Sequence, residues 1–248
     1  MQQEVKDGIL MMADNLMVLG QRLGEWCGHG PVLEQDIALT NIALDLIGEA
    51  RSYYQYLAEI EGKNEDDYPM LRYERNFKNV LLVEQPNGNW ADTMMRQCIF
   101  DCYHYYLLEG MTESVDARLA AIAKKSIKEA AYHLSFSSEW VIRLGDGTEE
   151  SHEKMQHALN NMISYLDELF IPTAYENYCA THLIFPRLDV VKAKALTKFN
   201  STMHEATLTI PAKYFSKTGG KTGLHTEYLG FILAEMQYMQ RAYPEQSW

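Results

Sequence analysis

Carboxylates and imidazoles recur in this 248-residue chain at spacings that two-metal carboxylate chemistry uses. A helix sets residues i and i+3 or i+4 on one face, so an acid and a histidine so spaced can aim both donors at one interior point. Asp101 and His104 form such an Asp-x-x-His pair. Glu129 and His133 lie four apart, but the residue three before His133 is Ala130, which cannot bind a metal. Asn41, Asp45, Glu49 and Ser52 are spaced four, four and three, which draws them along one line of a helix. Two readings fit that line: a ligand seam facing a metal site inside a bundle, or a solvent stripe on an outer helix. In carboxylate-bridged two-metal bundles, two helices each supply a Glu-x-x-His and two others add a carboxylate each. Neither Glu-x-x-His is intact here.

Other apparent motifs fail on their own terms. Gly219-Gly220-Lys221-Thr222 ends like a phosphate-binding loop, but that pattern needs a glycine where Phe215 stands and a strand upstream where the chain reads as loop. A tight loop that starts the last helix is the simpler reading. His204-Glu205 opens like the zinc-protease H-E-x-x-H, but Leu208 takes the second histidine position. Cys27, Cys98, Cys102 and Cys179 form no C-x-x-C pair, and Cys98 and Cys102 sit one helical turn apart as small core residues would, so no disulfide framework is expected. The 16 tyrosines and 13 methionines suit a core or a subunit interface.

The elements that must carry these residues are helical. Apolar residues recur every three or four positions through long segments, and the 15 glycines and 7 prolines fall between those segments. Seven helices and no strand are expected. The first runs from about Asp7 to Cys27 and stops at Gly28-His29-Gly30-Pro31. The second runs from about Val32 to Glu61 before Gly62; it is apolar around most of its circumference, so it is expected as the inner helix of a bundle. Lys63 to Asp67 reads as a solvated acidic loop. Asn89 is placed to cap a third helix to about Met111, Asp116 a fourth to Leu144, and Thr148 a fifth that stops before Pro172. A sixth starts between Pro186 and Asp189 and ends before Pro211, and a seventh spans Leu224 to Tyr243. No linker, repeat or low-complexity stretch divides the chain, so the expected architecture is all-α: a single domain over residues 1–248, a ferritin-like or other large helix bundle.

Charge and composition narrow the function. The formal charge is 22 − 34 = −12, which argues against a nucleic-acid binder. Hydrophobic residues make up 47% and charged ones 23%, a globular balance that excludes disorder as a class. The start lacks a basic segment with an apolar run behind it, and no stretch approaches the roughly 20 apolar residues a bilayer span needs. A soluble, cytoplasmic protein is expected.

Several long, ordered motifs carry a resemblance. QRLGEWCGHG (Gln21 to Gly30), LLVEQPNGN (Leu81 to Asn89), TGGKTGLHTE (Thr218 to Glu227) and LAEMQY in the last helix resemble the phenylacetyl-CoA epoxidase family, the ring 1,2-epoxidases of phenylacetate degradation, and within it the C subunit. The match runs from the first helix to the last. It implies a ferritin-like bundle that is the non-catalytic, structural partner of a homologous A subunit, which holds the di-iron centre. The complex so implied inserts one oxygen atom of O₂ into the aromatic ring of phenylacetyl-CoA, with electrons from NADPH relayed by a separate reductase.

Set against the catalytic relative, the metal-ligand positions of that family fall at Leu16, Glu49, Ser52, Asp101, Ala130 and His133. Glu49, Asp101 and His133 keep a ligand type; Leu16, Ser52 and Ala130 have lost it. A two-metal site needs an almost complete set of oxygen and nitrogen donors to balance the ions' charge. The resemblance therefore implies no catalytic residue, no metal and no cofactor in this subunit. The partners implied are the catalytic A subunit, further epoxidase subunits and the reductase, in a homo- and hetero-oligomeric assembly without nucleic acid or membrane. A two-metal carboxylate oxygenase acting on its own is the enzymatic rival, and Ala130 and Ser52 argue against it. A helical binding module with no oxygenase connection is the third reading, which the long motifs exclude. The remnant Glu49, Asp101 and His133 are expected inside the protein, with His133 offsetting the acids.

Overall fold

In the computed structural model, which describes residues 1–244 and 246, nine α-helices and several 3-10 turns make up the regular structure, with no strand among the described residues. The architecture is all-α. None of these helices is long and apolar enough to cross a membrane. The chain forms two compact units, residues 1–84 with 219–248, and residues 85–218.

In the first unit, α1 (Gln3–Gly24) packs along α2 (Leu33–Glu61). The two helices come close at Gly20, where a Cβ would meet Ile47 Cγ1 at 2.7 Å and the Ala43 carbonyl at 3.2 Å. α2 ends where Gly62 turns left-handed (φ 64°) and its N–H closes on the Ala58 carbonyl. α1, with 16 of its 22 residues buried, is the inner helix of this unit. α2, expected to be the inner one, has 10 of 29 buried. Leu33, Ile37 and Leu44 line an exposed edge of it at 71%, 51% and 61% exposure, so its apolar circumference overstated its burial. A short helix, α3 (Asp67–Leu71), follows the acidic loop, and α9 (Glu227–Ala242) lies against it. The Gln237 side-chain amide fastens the pair by donating to the Pro69 and Arg72 carbonyls at 2.8 and 3.0 Å.

In the second unit, α4 (Trp90–Met111) is the inner helix, with 16 of 22 residues buried against α5 (Ala117–Gly145), α6 (Glu149–Met162) and α8 (Leu188–Glu205). The three caps read from sequence are made. The Asn89 side chain accepts from the Ala91 and Asp92 N–H groups, while Asp92 returns a bond to the Asn89 N–H at 3.0 Å. Asp116 accepts from Arg118 and Leu119 N–H groups, and Thr148 from Ser151.

The helix count and several boundaries differ from those expected. α6 stops at Met162, ten residues before Pro172, and the chain continues through 3-10 turns at Ile163–Tyr165 and Asp167–Phe170. Beyond Pro172 lies α7 (Ala174–Thr181), started by a capping box in which Thr173 and Glu176 bond reciprocally. α8 ends at Glu205, where Thr207 takes a left-handed φ of 57°. α9 begins three residues later than expected, at Glu227.

Candidate functional site

The sequence directs attention to Asp101, which α4 buries to 2% exposure. Both of its oxygens are occupied. Gln97, one turn earlier on α4, donates its Nε2 to Oδ1 at 2.7 Å, and Ser137 of α5 donates its hydroxyl to Oδ2 at 2.7 Å. Burial pushes the Asp101 carboxyl up to about 6, against the opposing pull of the His133 charge, of the Ser137 and Gln97 bonds, and of His104. The structure thus brings Asp101 and His133 into one buried neighbourhood of the second unit. His133 is 3% exposed, and its ring meets Tyr132 edge-on at 6.2 Å. His104, the other half of the Asp-x-x-His pair, is equally buried and stacks on Phe100 with ring centroids 5.4 Å apart.

Ala130, one turn before His133 on α5, is buried at 3% exposure and offers only a methyl group to this neighbourhood. The remaining positions belong to the first unit. Leu16 is fully buried in the apolar face of α1. Glu49 is 7% exposed and accepts a hydrogen bond from the Tyr53 hydroxyl at 3.2 Å. Ser52 turns its hydroxyl back to the Gly48 carbonyl at 3.0 Å, a local bond within α2. The line from Asn41 to Ser52 mixes both readings of it: Asn41 is exposed, Asp45 and Ser52 are half-buried, and Glu49 is inside. Among the described residues, no three His, Cys, Asp or Glu side chains gather so as to hold a metal ion. Around Asp101, Ala130 supplies only hydrocarbon and Ser137 and Gln97 satisfy the carboxylate, so the donors of this neighbourhood do not fit a bridged pair of metal ions. The four cysteines form no disulfide among the described residues.

Two buried ionic networks of the first unit went unread in the sequence. Asp14, fully buried on α1, accepts from the Tyr54 hydroxyl at 2.7 Å, from the Lys78 N–H at 2.9 Å and from the Arg72 guanidinium, which lies over the Phe77 ring at 4.3 Å. A lone carboxylate within the apolar run LMMADNLMVLG was the signal for it. The second network joins Glu84, inside the motif LLVEQPNGN, to His225 and Thr226, inside TGGKTGLHTE. Two of the motifs that carry the family resemblance therefore meet through side chains.

Comparison with known proteins gives the family. The model of the phenylacetic acid catabolic protein family matches residues 1–248, the whole chain. The chain belongs to that family. Among curated proteins it is similar to the C subunit of 1,2-phenylacetyl-CoA epoxidase from Escherichia coli (strain K12), with 49% identity over 240 residues that cover 96% of this chain and 97% of the relative. Membership agrees with the all-helical architecture, in which each unit has a pair of long, packed helices, α1 with α2 and α4 with α5.

Proposed function

We propose that this chain is a non-catalytic structural subunit of a multicomponent phenylacetyl-CoA 1,2-epoxidase, bound to and stabilising a homologous catalytic A subunit that carries the di-iron centre. Similarity to the C subunit of such an epoxidase along almost the full length of both chains supports the reading. The donor set around Asp101, with Ala130 in place of an acid, supports the non-catalytic part of it. In this reading residues 1–248, which a single family model spans, act as one ferritin-like domain, and the assembly works in the cytoplasm. The electrons and the oxygen chemistry belong to the partner subunits, with NADPH oxidised by a reductase.

A scaffold must offer surface to its partner. The exposed edge of α2, with Leu33, Ile37 and Leu44 in helical register, offers large apolar side chains that a partner could cover. Co-expression with the catalytic A subunit and size-exclusion chromatography test the proposal. A stable heteromer is expected, burying more than about 2,000 Å² as obligate partners commonly do. Leu44→Glu in this chain should weaken it without unfolding the chain alone, because Leu44 is exposed there. Separate elution of the two wild-type chains at micromolar concentration overturns the scaffold role.

A further inference from the structure

The segment from Gly219 to Thr226 resembled a phosphate loop and has a different use. Its backbone lies directly on the stretch from Arg75 to Leu81. At Gly220 a Cβ would stand 2.3 Å from the Asn79 carbonyl, and at Gly223, held at φ 84°, 2.5 Å from the Arg75 carbonyl. The segment ends at His225, whose side chain is 3% exposed, and at Thr226, which precedes α9. His225 Nδ1 lies 2.6 Å from Glu84 Oε1, and Nε2 lies 3.0 Å from the Phe77 carbonyl oxygen. Glu84 Oε1 also accepts from Asn79 Nδ2 at 2.9 Å, while Oε2 accepts from the N–H and hydroxyl of Thr226 at 2.8 and 2.6 Å.

The chemistry of the partners fixes the protonation. A carbonyl oxygen and an ionised carboxylate can only accept, so both ring nitrogens must donate, which only the imidazolium does. A neutral ring would turn one lone pair toward an acceptor. Among its surroundings, α1 presents Asp14, which favours the cation, and Arg22, which donates to the Glu84 carbonyl at 3.1 and 2.9 Å. The 72–84 stretch brings Arg72, paired with Asp14, Lys78, paired with Asp7 at 3.3 Å, and Glu84 itself. Lys221 is buried in the same segment, and Glu227 opens α9. The positive end of α9 opposes a cation at His225, and the Glu84 carboxylate offsets it.

We infer that Glu84 and His225 form a proton-controlled latch that pins the 219–226 segment and the first turn of α9 to the 77–84 stretch, and that loss of the imidazolium proton releases them while α1 stays folded. Burial lowers the pKa of His225, but the hydrogen bond and charge of Glu84, with the Phe77 carbonyl, outweigh it and leave it raised above 6.5. The sign follows: the latch is fully closed below 6.5 and opens as pH climbs through the raised value.

Amide hydrogen exchange on the full chain between pH 6 and pH 9, corrected for intrinsic rates, tests this. Exchange in peptides covering 219–230 should quicken at least tenfold over that span in the wild type, with α1 peptides unchanged. In His225→Gln it should be fast throughout and insensitive to pH. Equal pH sensitivity in both proteins, or none in the wild type, overturns the latch. Should His225→Gln not fold, nitrogen NMR of histidine-labelled wild type decides: a buried imidazole with both nitrogens protonated at pH 7 supports the latch, and only neutral rings overturn it.

Discussion

Replacing Asp101 with Asn tests the electrostatics of the buried cluster, because it keeps the shape of the protonated acid and removes the option of ionising. The Asp101 carboxyl is held at about 6 against an ordinary value of 3.8. At about 1.36 kcal/mol per pH unit, that difference amounts to about 3 kcal/mol. Because the folded value lies above the unfolded one, the contribution to stability is complete below 3.8 and is lost as pH rises to about 6. The wild type should therefore lose about 2 kcal/mol between pH 4 and pH 7 from this one group. Asp101→Asn escapes that loss. Ser137 and Gln97 can still bond the amide, since a hydroxyl accepts as readily as it donates. At pH 4 the variant should be near or below wild-type stability, the more so where His133 is charged and has lost its acid neighbour. By pH 7 it should have gained about 2 kcal/mol relative to wild type. Urea unfolding followed by circular dichroism at pH 4, 5, 6 and 7 measures this directly. A difference between variant and wild type that stays flat within about 0.5 kcal/mol, or that moves against the variant as pH rises, would show that Asp101 ionises as an ordinary surface acid and refute the reasoning.

Further outcomes follow from other parts of the fold. Asp14→Leu leaves the Arg72 guanidinium, 15% exposed, without its carboxylate, and should cost about 3–5 kcal/mol in urea unfolding. Adding a methyl group at Gly145 places it 2.3 Å from the Ala206 carbonyl, so Gly145→Ala should destabilise the chain by about 1–3 kcal/mol. Gly48→Ala on α2 meets nothing within 4 Å and should stabilise it by about 0.5–1 kcal/mol, so thermal melts of the pair should move in opposite directions.

What could be read in advance was what local chemistry decides. Asn89, Asp116 and Thr148 start helices because a short polar side chain reaches N–H groups two or three residues ahead, a relation contained in the sequence itself. The same logic holds at Thr173 and Glu176, whose capping box starts α7 directly behind Pro172, a residue that by itself reads only as a helix stop. The start of α9 was misplaced because Glu84, 141 residues away, holds His225 and Thr226 outside the helix. Periodicity also failed to distinguish the exposed apolar edge of α2 from a buried one. In the cluster, spacing paired Asp101 with His104 and His133 with Glu129, and only the family resemblance set Asp101 and His133 side by side. Ser137, which satisfies the carboxylate from another helix, was not legible, since nothing in a serine on α5 announces a partner 36 residues earlier.

The scaffold claim is tested most directly by metal analysis and assay of this chain alone and together with its catalytic partner. Alone, it should carry no stoichiometric iron and support no phenylacetyl-CoA-dependent NADPH oxidation when the reductase is added; with the A subunit and the remaining components, both iron and activity should be present. In the proposed role, Leu16, Ser52 and Ala130 stand at ligand positions that the family resemblance implies, and the donors left there are too few for a bridged pair. About two iron atoms per chain in the isolated protein, with an oxo-bridge absorption band, would contradict the account.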